Sequence, residues 1–153
     1  MSFYSNTPVV FAGVSSVTSA RGSKDPEVGT RMIFAGNEYA YIYNAGNSQA
    51  QPGYAVVPAT GVTSPYSCTV SSIGATDTVV GMVRHATLTT GTYGWVLTKG
   101  YGTAVVSATV AAGDYLTVGA DGKLNTSVTF PGIAKALSAA VTGAACGVIF
   151  FGA

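Results

Sequence analysis

Between Val79 and Val106 the sequence VVGMVRHATLTTGTYGWVLTKGYGTAVV alternates short runs of Val, Leu, Tyr and Trp with glycine and threonine. Branched and aromatic side chains suit the pleated surface of a sheet, and glycine-containing breaks suit the turns between strands. The stretch reads as consecutive antiparallel strands, with a break at Lys99-Gly100-Tyr101-Gly102 and a third run after it.

The same pattern extends in both directions. Arg31 to Phe34 opens a short strand, Gly36-Asn37 is a turn signal, and Glu38 to Tyr43 follows as a second strand. Because strand side chains alternate faces, Tyr39, Tyr41 and Tyr43 share one face, and Glu38, Ala40 and Ile42 the other. Such a tyrosine row is a platform for a carbohydrate or partner, or a cross-strand aromatic ladder inside a sheet; the ladder is the more economical reading. Tyr54 to Val57, Cys68 to Val70, Tyr115 to Val118, the segment from Leu124 and Gly147 to Phe151 complete the strands, with turns at Gln51-Pro52-Gly53, Gly74 to Asp77 and Ala111 to Asp114. Asp121-Gly122 is the signature of a two-residue hairpin loop. Ile133 to Leu137 fits a strand, with an Ala-rich helix over Ile133 to Val141 as its competitor. The closing Gly147-to-Phe151 run is continuous rather than alternating, which predicts a strand covered on both faces.

About ten short strands at this spacing point to an all-β domain, a small antiparallel barrel or sandwich, over residues 31–153. Residues 1–30 are rich in Ser, Gly and Pro, with one short apolar piece, Val9-Val10-Phe11. They read as an extended N-terminal arm ordering against a neighbour, or as a frayed terminus.

Composition narrows the function classes. Of 153 residues 48% are apolar and only 8% charged, against roughly 25% charged in ordinary globular domains. A surface so poor in charge is expected to be largely Thr, Ser, Gly, Ala and Asn, much of it suited to cover by partners. The net charge is +1, seven basic residues against six acidic ones, and the basic residues are scattered from Arg21 to Lys135, which argues against a nucleic-acid partner. No apolar segment reaches the ~20 residues of a membrane-spanning helix, and MSFYSNTPVV lacks the layout of a signal peptide, so synthesis in a cytoplasm is expected. Cys68 and Cys146 have no metal-ligand spacing and read as two free, buried thiols, with a bridge between them the alternative.

Catalytic signals are sparse. Asp114 and Asp121 belong to turns, and Asp25 and Glu27 to a solvated cluster. His85 is the sole histidine, without the further ligands a metal needs or a nucleophile motif beside it. Gly100-Tyr101-Gly102 leads into a strand rather than a helix, so it is no phosphate cradle. Trp95, beside Gly94, suits a core anchor better than an exposed hot spot. The expectation is a non-enzymatic protein without metal or cofactor.

GNEYAYIYNAG (36–46), PGYAVV (52–57), HATLTTGTYGWV (85–96) and AGDYLTV with DGKL (112–124) resemble small virion proteins of tailed bacteriophages, and GIAKAL (132–137) and ACGVIFF (145–151) resemble the end of their head decoration, or cement, proteins. The likeness covers about residues 30 to 151 and rests on turn-and-strand patterning. It implies a structural virion protein, made in the host cytoplasm, that binds the major capsid protein on the outer surface of the shell and stabilises it. Such proteins commonly sit as trimers at local threefold positions. Other virion roles (tail tube, adaptor, fibre head) and a free carbohydrate-binding module are the alternatives. For a protein acting by contact, the candidate interface residues are Phe3, Tyr4, Val9, Phe11, Tyr39, Tyr41, Tyr43, Trp95, Phe150 and Phe151.

Overall fold

The structure, a computed structural model, describes residues 20, 22, 26–70, 78–127 and 132–152. The expected Val9-Val10-Phe11 strand, most of the 1–30 arm and the Gly74 to Asp77 turn lie outside the described residues. Ten strands occur among the described residues: β1 (Arg31–Phe34), β2 (Asn37–Asn44), β3 (Ala55–Pro58), β4 (Ser67–Val70), β5 (Gly81–Val83), β6 (Tyr93–Val105), β7 (Tyr115–Val118), β8 (Leu124–Thr126), β9 (Ala134–Ala136) and β10 (Ala145–Phe150). The all-β expectation holds, and the Ile133 segment is a strand rather than a helix.

Strands β2, β4, β3, β5 and β6 pair in that order, and β6 also pairs with β2, closing a ring of five strands. Pairing is antiparallel throughout except between β2 and β4, which run parallel. From the far half of β6 the order continues through β10, β9, β7 and β8 as a second sheet.

Alternation along each ring strand divides the interior into two cores. Ile42, Val56, Cys68, Val70, Val83 and Val96 point to one side and form a single cluster with Ala50 and Leu88, which bridge to each other from adjoining loops. Every ring strand contributes to it, so this cluster fills the ring. The alternate residues Tyr39, Tyr41, Met82, Trp95 and Leu97 join a larger cluster with Leu116, Val118, Ala134, Val148 and Phe150 of the second sheet. The ring wall is therefore apolar on both sides, which explains why its strands read as near-continuous apolar runs.

The break anticipated at Lys99 to Gly102 is instead the interior of β6, the longest strand at 13 residues. What sequence marked there is a corner. On β2, Tyr39 faces Leu97 while the neighbouring Glu38 faces Lys99, so Thr98 is an extra, bulged residue. The bulge flips the faces: Trp95 and Leu97 enter the large core before it, Ala104 and Val106 after it. Gly100 completes the bend with φ of +125°, a backbone state that residues bearing a β-carbon rarely adopt. Asn37 plugs the corner, its Oδ1 accepting the Tyr101 N–H at 2.9 Å. One strand thus serves both the ring, through residues 93–99, and the second sheet, through residues 100–105.

The Asp-Gly signal is realised. Asp121 and Gly122 both have positive φ (58° and 72°), the Lys123 N–H closes onto the Ala120 carbonyl, and β7 and β8 pair with Val118 opposite Leu124. At the first hairpin the turn residues are Ala35 and Gly36, also at positive φ, with Asn37 already in β2.

Strand β10 departs from the sequence reading. Instead of being covered on both faces it alternates: Cys146, Val148 and Phe150 are buried, whereas Ile149 and the following Phe151 are exposed. The second sheet packs one face on the ring. Among the described residues no second layer covers the other.

Candidate contact surface

That uncovered face has a definite composition. Register places Tyr101 of β6 opposite Ile149 of β10, Ile149 opposite Lys135 of β9, and Lys135 opposite Tyr115 of β7, one row crossing four strands. Phe151 extends the row, its ring 6.3 Å from that of Tyr115, and the Lys135 ammonium sits 5.5 Å from the Tyr115 ring centre. At that distance the aromatic face attracts the cation and holds its aliphatic stem along the sheet. The Tyr101 hydroxyl lies over Gly147, 3.7 Å from where a β-carbon would stand. Leu137, bonded through its N–H to the Gly147 carbonyl, adds another exposed apolar side chain.

At the other end of β10, the loops after β6 and after β9 are zipped by reciprocal backbone bonds between Val110 and Ala140. Beside them Thr109, Val141, Ala144 and Ala145 line an open groove of about 370 Å³. Loop and strand are also tied by sulfur: the Cys146 thiol donates to the Ser138 carbonyl at 3.1 Å, and the Gly147 N–H donates to the Ser138 hydroxyl at 3.3 Å.

The candidate interface residues fall into three groups. Tyr39, Tyr41, Trp95 and Phe150 are buried in the large core of this chain. Tyr43 is half-buried, and its ring lies 4.7 Å from Tyr93; Tyr41 in turn packs 5.1 Å from Trp95. This is the cross-strand aromatic ladder. Phe151 is exposed on the second sheet, and Phe3, Tyr4, Val9 and Phe11 lie outside the described residues. Sequence reading passed over Tyr101, Tyr115 and Ile149; the signal for them was register, which only pairing across strands supplies.

His85 belongs to a small polar cluster. The Arg84 guanidinium donates to the Tyr39 hydroxyl, which lies 3.4 Å from His85 Nε2, with the two rings stacked 6.1 Å apart. Burial, and then the neighbouring Arg84 charge, hold the imidazole below its ordinary pKa of 6.5. The cluster ties the loop after β5 to β2. Cys68 and Cys146 are both free and buried, and burial pushes the Cys68 thiol up to about 12. Among the described residues no three His, Cys, Asp or Glu side chains are placed to hold a metal ion.

The Tyr101–Ile149–Lys135–Tyr115 row thus stands on the uncovered face of an all-β scaffold. No family model and no curated protein matches the chain. Among solved structures, the fold is similar to that of the head fiber gp8.5 N base in bacteriophage phi29, with a TM-score of 0.55 at 14% identity, covering 73% of this chain and 93% of that one.

Proposed function

We propose that this chain is a structural component of a bacteriophage virion, attached to the outside of the head and acting by contact rather than catalysis. The observation that carries the reading is the shared fold with a phage head-fiber base. The low charge content and the uncovered Tyr101–Ile149–Lys135–Tyr115 row support it, since aromatic and aliphatic side chains around one cation suit a protein interface. Within that class the protein decorates the shell, binding the major capsid protein as a homo-oligomer, a trimer in the simplest arrangement, and bracing adjacent subunits. Many identical contacts on a repeating lattice give avidity to an individually weak surface.

The likeness to a head fiber base favours a second reading, that this chain is itself the base of a head fiber. Of the residues a glycan platform would use, Tyr39, Tyr41 and Trp95 are enclosed in the core and Tyr43 is half-buried. The test is add-back. Particles grown without this gene are incubated with the purified full-length protein and sedimented. Saturable cosedimentation that strengthens the particles against heat or chelator supports decoration. Saturable binding at a few sites without strengthening moves the protein to a fiber base, and no binding overturns the virion reading.

A further inference from the structure

We propose that the first half of the loop after β5 is a clasp that acid releases, with His85 as its trigger. The loop spans residues 84–92, between β5 and β6. Its far half is fixed by backbone: Leu88 and Ala50 exchange N–H bonds, and Asn44 bonds to Leu88, Gly91 and Thr92. Among the described residues, none of 84–87 makes a backbone hydrogen bond. What holds this half is a run of side chains, from the Arg84 guanidinium through the Tyr39 hydroxyl to His85 Nε2. Tyr39 is fully buried in β2, so the clasp closes over the edge of the large core.

The run has one direction. A guanidinium has only donors, so the Tyr39 oxygen accepts from Arg84 and its single proton is left for His85. Nε2 receives that proton only as the bare nitrogen of a neutral imidazole. Protonation puts an N–H there instead. The Tyr39 proton then loses its acceptor, and a second cation stands beside Arg84. The surrounding elements supply no counter-charge. Strand β5 holds no ionisable residue, and β1 and β6, which pair with β2, carry Arg31 and Lys99 but no acid. On β2 itself the acid is Glu38, on the face opposite to Tyr39. The Gln51–Tyr54 turn, bonded to Val83, is uncharged, and its Tyr54 packs on the core inside the ring. Burial acts in the same sense as Arg84, against the charged imidazole. Opening residues 84–87 lets the imidazolium reach water and uncovers Tyr39, while Leu88 stays anchored in the ring.

The test is NMR on the full-length protein, titrated from about pH 7.5 to about pH 5 across the histidine range. It needs no particles and stands apart from the virion reading. Neutral His85 is expected to carry its proton on Nδ1, leaving Nε2 bare. On acidification the amides of Arg84 to Thr87 are expected to lose their heteronuclear NOE with the midpoint of the His85 titration. The amides of Ala50 and Leu88, bonded to each other's carbonyls, are expected to keep their slow hydrogen exchange. His85→Gln removes the trigger and is expected to hold one NOE value across the range. Tyr39→Phe keeps the buried ring without its hydroxyl and is expected to show the low values already at neutral pH, with circular dichroism confirming that both variants fold. A neutral ring protonated on Nε2, a His85 titration that leaves residues 84–87 rigid, or a response that persists in His85→Gln overturns the inference.

Discussion

The corner in β6 is the most exacting test of how this fold is held. Gly100 adopts φ of +125°, and a β-carbon there would stand 2.1 Å from Asn37 Oδ1. Gly100→Ala therefore adds two costs. Holding a residue with a β-carbon at that φ costs about 1–3 kcal/mol. Displacing Asn37 breaks its bond to the Tyr101 N–H, a half-buried contact worth about 1 kcal/mol. The sum, about 3 kcal/mol, corresponds to a fall in melting temperature of roughly 6–12 °C for a chain of this size. The assay is urea unfolding at one fixed protein concentration, because any self-association contributes to apparent stability. Asn37→Ala removes the clashing oxygen, so Gly100→Ala should cost about 1 kcal/mol less in that background than in wild type. A loss below about 1 kcal/mol for Gly100→Ala, or strict additivity in the double variant, would refute the account of the corner.

Other consequences are as direct. Thr98 has a buried hydroxyl without a hydrogen-bond partner among the described residues, so Thr98→Val should stabilise by about 0.5–2 kcal/mol in the same unfolding assay. A β-carbon on Gly94 would stand 2.3 Å from Leu88 Cδ2, so Gly94→Ala should destabilise by about 1–3 kcal/mol, and by less in a Leu88→Ala background. Cys68, with its thiol pushed up to about 12 by burial, should resist alkylation at pH 8 in the native protein and react once unfolded, as read by peptide mass spectrometry. The folded-state pKa of His85 lies below 6.5, so the unfolded chain takes up its proton first as pH falls. The stability that neutral His85 contributes is present above pH 6.5 and is lost as pH falls through its folded value. Unfolding midpoints across that window should flatten in His85→Gln.

Much of the architecture could be read before the structure because its signals are local. The Asp121-Gly122 turn depends on two adjacent residues able to take positive φ, and the strand at Ala134 on a short run between glycines. The tyrosine alternation in β2 placed Tyr39 and Tyr41 on one face, and the usual cross-strand packing of aromatic rows favoured a ladder over a platform. What escaped was long-range. Lys99 to Gly102 carries the same glycine signal whether the chain stops or bends, and only Asn37, 63 positions before Gly100 in the numbering, makes it a bend. Asn44, a residue type common in turns, is buried, donating to the Leu88 and Ser48 carbonyls and accepting from the Gly46 N–H, so it staples a loop across the ring. The contact surface was legible only at Phe151. Whether Ile149 faces water or core depends on which sheet face finds a second layer, and no pattern within a six-residue strand carries that information.

The central claim, a structural role on the outside of a phage head, is tested most directly by quantitative mass spectrometry of purified particles from the source. The account predicts this chain at a copy number close to that of the major shell protein. A few to some tens of copies would contradict decoration and move the protein to a fiber base, vertex or tail. Absence from the particles would contradict the virion role altogether.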